Sequence, residues 1–338
     1  MFYVGLDVHQ HTASVCVLDD QGNRVREVTV KGHWTKLGSV IPALPGPRQV
    51  CFEASTSYGV LYEMLSRNAE RVAVAHPGHL RLIFRSKRKN DRADAFKLAL
   101  LLRLNEVPEV YVPGAEVRQW RRMIRLRHRL VEDRVRTKNR IRNLLRQYGL
   151  QAPHSLWSLK GLVWLNRLEL PLEGAAIERD LLLDDLKHQN ARVKRLESAL
   201  NPIAQAHPAV CLLRTIPGVG ARTAEAFAAW VDRPARFTGA GAIGSYFGLV
   251  PSEDSSAHVK RLGHITKQGP GLMRKLLVEA AWQAIRRDTG LRALFDRVRR
   301  EDPDRTKIAI VAVAHQLAKV MLAILKRGTG FQPALQAA

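Results

Sequence analysis

Phe2-Tyr3-Val4-Gly5-Leu6-Asp7-Val8 is a run of strand-forming residues with a single carboxylate set into it. Side chains alternate across a strand, so Asp7 shares a face with Gly5 and not with Leu6 or Val8. Two more Val-rich runs follow at 13–18 and 24–30, and the Asp19-Asp20-Gln21-Gly22 stretch between them has the composition of a chain reversal. The three runs read as an antiparallel meander. Further strands are expected at 49–53 and 71–75, with a helix near 59–67 between them. A helix over 91–105, turning Leu98, Leu101 and Leu102 inward, closes the region. The order βββ-α-β-α-β-α predicts a mixed sheet flanked by helices over residues 1–113.

Beyond residue 113 the strand signal stops. Val117, Trp120, Ile124, Val131, Val135, Leu145 and Tyr148 fall near one helical stripe. Leu182, Leu186, Val193, Leu196 and Leu200 repeat the pattern. Two long helices packed antiparallel, as a coiled-coil arm over 114–205, would bury both stripes, with 151–171 crossing between them. Arg134, Arg136, Lys138 and Arg140 sit in a basic run between positions 118 and 146, opposed only by Glu132 and Asp133. A charge run is commonly a solvated helix face. Here acidic partners one turn away are nearly absent, which favours contact with phosphates. Residues 206–330 read as mainly helical with glycine turns, and 331–338 as a tail.

Composition narrows the function. Lys and Arg number 54 against 31 Asp and Glu, a net charge of +23, with a pI near 10.7. Such a field suits a polyanion binder and gives nothing to an enzyme of small neutral substrates. Hydrophobic residues make up 46%, enough for real cores, so this is no disordered basic tail. Cys16, Cys51 and Cys211 are far apart and form no zinc-type cluster, as expected in a reducing cytoplasm. The apolar stretch 308–325 is interrupted by His315, Gln316 and Lys319, so no membrane span is expected.

Four carboxylates stand out in this basic chain. Asp7 lies in the first strand, Glu53 ends a later one, and Asp91 and Asp94, three apart, share a face of the closing helix. Two-metal phosphoryl chemistry needs several carboxylates converging on ions about 3.5–4 Å apart, and Mg²⁺ suits an all-oxygen shell. Each residue also has a purely structural use. Asp91 complements the helix N-terminus, Glu53 caps the turn after its strand, and Asp7 has many arginines to pair with. Their joint placement on strand one, the later strand and the closing helix favours the metal site.

The phrases GLDVHQ (5–10), FEAS (52–55) and KNDRADA (89–95) resemble the N-terminal domain of the DEDD insertion-sequence transposases, the insertion-sequence one-ten family, to which the Piv-type DNA invertases also belong. Gln10 stands where that family commonly has Lys. The resemblance implies an α/β RNase H/RuvC-like domain whose Asp7, Glu53, Asp91 and Asp94 are catalytic metal ligands. It also implies a mainly α C-terminal transposase domain beyond the arm. There, Phe247-Gly248-Leu249-Val250-Pro251-Ser252-Glu253-Asp254-Ser255-Ser256 is similar to the family core G-L-x-P, a short spacer, then a serine before glycine. The family's nucleophile maps to Ser256. The glycine is Ala257 here, which leaves Ser255 as a second candidate, and Lys260, Arg261 and Lys267 would lie near the scissile phosphate. His264 can assist, or simply be a satisfied loop histidine.

Upstream, Ile216-Pro217-Gly218-Val219-Gly220 precedes a helix. A Gly-x-Gly turn there can offer backbone N–H groups to a phosphate or be an ordinary tight turn. Its similarity to helix-hairpin-helix DNA-backbone binders favours DNA at Gly218 and Gly220. The resemblance further implies donor and target DNA as substrates, a structured noncoding bridge RNA as partner, and a homodimer or homotetramer. Two rivals stay open at this point: a RuvC-like junction endonuclease that needs no serine, and a non-catalytic nucleic-acid-binding protein.

Overall fold

The computed structural model describes residues 1–83, 90–254 and 261–332. The chain divides into two compact units, Met1–Ala115 and Glu116–Ala338. In the first, β1 (Phe2–Val8), β2 (Thr12–Leu18) and β3 (Arg24–Lys31) form the expected meander. Asp19 closes its second turn, its carboxylate accepting from the backbone N–H groups of Gln21 and Asn23. α1 (Leu37–Val40), β4 (Arg48–Glu53), α2 (Tyr58–Leu65), β5 (Arg71–Ala75), α3 (Pro77–Ile83) and α4 (Asp91–Arg103) follow. The sheet order is β3-β2-β1-β4-β5, with β4 parallel to β1 and β5 parallel to β4.

The two faces of this sheet differ in side-chain size, and the difference sets the site. Val4, Leu6, Val15, Val17, Val50, Phe52 and Val74 pack with Leu37 and Ile41 and with Leu61 and Leu65 of α2. The opposite face carries Tyr3 and Leu18 but is otherwise made of small residues: Gly5, Cys16, Cys51, Ala73 and Ala75. Against them lies α4, through Ala95, Ala99, Leu98, Leu101 and Leu102. The approach at Gly5 is close: a Cβ there would stand 1.9 Å from the Ala95 carbonyl oxygen and 2.5 Å from the Ala99 nitrogen. Burial pushes the Cys16 thiol up to about 11 and the Cys51 thiol up to about 12. Both therefore serve as small apolar packing and not as nucleophiles.

The second unit opens on α5 (Ala115–Gln147), followed by α6 (Leu159–Arg167) and α7 (Glu173–Ala206). α5 and α7 run antiparallel: Gln189 donates to the Thr137 hydroxyl at 2.9 Å and Arg134 donates to Asn190 at 3.3 Å. Ile141, Leu145, Leu182 and Leu186 share a core with Leu156 and Leu165 from the crossing segment. The inward stripe of α5 departs from the expected one. Val135 is exposed, while Leu130, Thr137, Ile141 and Leu144 are buried. Two arginines of the basic run are buried as well: Arg121 donates to the carbonyls of Ala229 and Trp230, and Arg127 donates to Glu225 at 2.6 Å. These two hold the fold and are not available to phosphates.

The remaining elements are α8 (Pro208–Leu213), α9 (Ala221–Val231), α10 (Ala240–Tyr246), a small hairpin of β6 (Pro251–Glu253) and β7 (Leu262–Ile265), α11 (Gly271–Ala284), α12 (Thr289–Arg299) and α13 (Thr306–Arg327). α13 is long and apolar enough to cross a membrane by composition. Its Ile310, Val313, Leu317, Met321 and Leu322 are, however, the centre of this unit's core.

Glu225 is fully buried on α9 and accepts from the Trp120 indole N–H and from Arg127. Desolvation draws the Arg127 guanidinium below its ordinary pKa, against the opposing pull of Glu225. Removing one partner of a buried pair strands the other's charge. Glu225→Ala should lower the stability of α5 and α9 by about 3–5 kcal/mol, read by native-state hydrogen exchange of their amides. Unchanged protection would show that water or a rearranged partner satisfies Arg127.

Candidate functional site

Asp7 lies opposite Ser14 on β2 and on the Gly5 face of β1, the face covered by α4. His9 continues this hairpin end, its backbone N–H donating to the Thr12 carbonyl at 2.8 Å. From the other side comes the N-terminus of α4. Asn90 caps it, its side chain accepting from the Arg92 N–H, which places Asp91 and Asp94 in the first helical turn. The close Gly5–Ala95 packing fixes how near that turn comes to β1.

The side chains of Asp7, His9 and Asp91 meet there. His9 Nε2 lies 3.4 Å from Asp7 Oδ2 and 3.6 Å from Asp91 Oδ2, and the three potential ligand atoms all fall within 4.8 Å of one another. Asp7 is the most enclosed, 15% exposed, while His9 and Asp91 are about half open at 41% and 47%. Glu53 ends β4, one residue past the Leu6–Phe52 pair, so alternation sets it on the face of Cys51 and hence of Gly5 and Asp7. Asp94 is engaged by Lys97 at 2.9 Å. The donor set of carboxylate oxygens with one imidazole fits a divalent cation. His9 was not singled out in the sequence; it follows Asp7 at the i, i+2 spacing, one residue past the end of β1 at Val8.

In the second unit, Ser255, Ser256 and Lys260 lie outside the described residues. The described residues on either side of them in sequence form the β6–β7 pair, and the Asp254 N–H donates to the Arg261 carbonyl at 2.9 Å. Ser252 Oγ donates to the His264 carbonyl at 3.0 Å. Arg274 anchors the base of the hairpin by donating to the carbonyls of Phe247 and Gln268. Arg261 and Lys267 are exposed, Lys267 in the left-handed backbone region with φ +53°. Gly218 has φ +87°, and a Cβ on it would stand 2.5 Å from the Ala284 nitrogen, so this turn admits only glycine. Gly220 precedes the first turn of α9, and Arg214, Thr223 and Arg287 line the open cleft around it.

On α5, Arg140 is exposed, Arg136 is paired with Asp133, and Arg134 reaches Asn190. Lys138 lies 4.8 Å from the Trp157 ring centre, with Arg142 over the same ring. Partial burial, then the charges of Arg134 and Arg142, lower the Lys138 pKa.

Comparison with known proteins places these units. Residues 4–150 match a family model described as "Transposase", of the DEDD IS110 type, and residues 210–296 match "Transposase IS116/IS110/IS902 family". The chain belongs to the IS110 family of insertion-sequence transposases. A "Probable family 20 transposase" of Pseudomonas aeruginosa is 28% identical over 261 residues, covering 72% of this chain and 75% of the relative. The "Transposase for insertion sequence element IS1111A" of Coxiella burnetii is 25% identical over 347 residues, covering 96% and 89%. As an IS110-family transposase the chain is an enzyme that acts on DNA. The DEDD family type suggests use of a divalent metal, and the described residues include an acidic cluster at Asp7, His9 and Asp91.

Proposed function

We propose that this IS110-family transposase cuts and rejoins DNA with a serine nucleophile, Ser256, and a Mg²⁺ pair held by Asp7, Glu53, Asp91 and Asp94. The observation that carries the metal reading is the meeting of Asp7 and Asp91 ligand atoms under the Gly5 contact. When bound, such ions favour the oxyanion form of the attacking group and neutralise charge on the phosphate. The chain's own residues do the rest. Ser256 Oγ forms the bond to phosphorus as the bond from phosphorus to the departing sugar oxygen breaks. The serine proton leaves with a base, and the sugar oxygen gains one. Rejoining is the reverse reaction with another sugar hydroxyl. Arg261, Lys267 and Lys260 offer positive charge to the phosphate.

The helices α5 and α7 act as a coiled-coil arm that follows nucleic-acid backbone. The turn at Gly218 and Gly220 supplies a second backbone contact. A structured bridge RNA fits the +23 charge and the aromatic content of only 6%, which favours reading shape and phosphate over stacking. The working enzyme is a cytoplasmic homodimer or homotetramer in which the acidic site and the serine meet across protomers.

The reading is tested by incubating the protein with its element's end sequences in Mg²⁺ or in EDTA. Strand cleavage only with the divalent ion supports it, and full cleavage in EDTA overturns the metal site. For the arm, neutralising Arg134, Arg136, Lys138 and Arg140 together should weaken nucleic-acid binding. Each lost phosphate contact should flatten the plot of log affinity against log salt by about 0.7–0.9 units. Because Arg134, Arg136 and Lys138 already have partners within the arm, the exposed Arg140 should account for most of the change. An unchanged slope would mean that this face meets solvent or protein.

A further inference from the structure

We propose that His9 is part of the acidic site, its Nε2 supplying a nitrogen donor to the divalent ion that Asp7 and Asp91 bind, so that the site holds Mn²⁺ more tightly than Mg²⁺. The inference rests on the metal reading above and adds to it a ligand of a different kind. Its basis is geometric. An octahedral ion with donors at about 2.1 Å sets neighbouring ligand atoms about 3.0 Å apart and opposite ones about 4.2 Å apart. His9 Nε2 stands 3.4 Å and 3.6 Å from the two carboxylate oxygens, and all three atoms lie within 4.8 Å. A few tenths of an ångström of contraction closes them around one ion. Those same separations exceed the 2.7–2.9 Å or so of a charge-assisted hydrogen bond, so a simple imidazole–carboxylate bridge accounts for them less well.

The two elements that carry these donors are firmly held. His9 is tied by its N–H to Thr12 at 2.8 Å, and the first turn of α4 is capped by Asn90 and seated on Gly5. His9 is 41% exposed on its side chain, so the imidazole opens to solvent and substrate while Nε2 faces the carboxylates. Mg²⁺ favours oxygen ligands and keeps its waters, whereas a mixed oxygen and nitrogen set suits first-row transition ions. Replacing one oxygen donor by imidazole therefore shifts preference toward Mn²⁺, an ion of the same charge that also reports its ligands magnetically.

The experiment uses the full chain and Mn²⁺ itself as probe, at fixed neutral pH. Electron spin-echo modulation of bound Mn²⁺ should show a directly bonded nitrogen in the wild type and none in His9→Ala. His9→Ala should raise the Mn²⁺ dissociation constant about tenfold or more, and should raise that of Mg²⁺, measured by competition, by less. His9→Gln keeps the size of the side chain and replaces the imidazole nitrogen. It should lose the nitrogen signal too, which guards against a folding artefact. Absence of the signal in wild type, its persistence in His9→Ala, or unchanged Mn²⁺ affinity overturns the proposal. Asp7→Asn separates the two levels. If it loses Mn²⁺ while His9→Ala does not, the carboxylate site stands and His9 is not a ligand. If Asp7→Asn binds Mn²⁺ as wild type does, the metal reading fails with it.

Discussion

Asp7→Asn should leave a protein that binds nucleic acid as before but cleaves strands at least about a thousandfold more slowly. Asp7 is the most enclosed of the three clustered side chains and occupies the central strand, between β2 and β4. The substitution keeps shape and removes one unit of charge from the site proposed to hold the cation. Loss of one preorganised electrostatic group commonly costs about 10²–10³ in rate, and loss of a shared metal ligand reaches the upper end or beyond. Affinity for DNA should be unchanged or slightly raised, because a negative charge near phosphates has gone. Asp94→Asn should behave similarly, although it also breaks the Lys97 contact. Turnover of Asp7→Asn at the wild-type rate in Mg²⁺ would sink the assignment of this carboxylate.

Gly5→Ala should damage both the first unit and its site through one methyl group. That carbon would stand 1.9 Å from the Ala95 oxygen and 2.5 Å from the Ala99 nitrogen, both backbone atoms, so no side chain can swing aside. α4 must then lift from β1 by more than an ångström. Overpacking a core costs about 1–3 kcal/mol, and a backbone-to-backbone contact belongs at the top of that range. Hydrogen exchange at the β1 and α4 amides should quicken accordingly. Because α4 carries Asp91 and Asp94, metal affinity should fall with it. Unaltered exchange and unaltered metal binding would show that the helix has slack the contact does not suggest.

Much of the first unit was legible because its signals are local. Val-rich alternation gave the meander, and the spacing of Leu98, Leu101 and Leu102 gave the inner face of α4. The size asymmetry of the two sheet faces was also written in the strands, in Gly5, Cys16, Cys51 and Ala73 against Val4, Phe52 and Val74, but it acquires meaning only once register is known. The arm was harder. The stripe on α5 takes in Arg127 and Thr137 and leaves Val135 in solvent. Hydrophobicity cannot find an arginine whose partner, Glu225, lies 98 residues away. The β6–β7 hairpin leaves little trace in the sequence because its strands of three and four residues are exposed except at the half-buried Ile265 and have no apolar face to alternate. His9 escaped for a different reason. A lone histidine just past a strand end carries no signal of its own, and its closeness to Asp7 and Asp91 follows only from the fold.

The most direct test of the chemistry is the covalent intermediate. Wild-type protein, Mg²⁺ and a suicide DNA substrate built on the element's ends should yield a protein–DNA adduct that survives denaturant. The adduct should vanish in Ser256→Ala, which still binds DNA, and should persist in part in Ser255→Ala. An adduct that follows Ser255 would move the nucleophile by one residue, consistent with Ala257 standing where the family has glycine. A protein with both serines replaced that still cleaves and rejoins DNA normally would contradict the serine mechanism and leave metal-activated hydrolysis, as in a RuvC-like endonuclease, in its place.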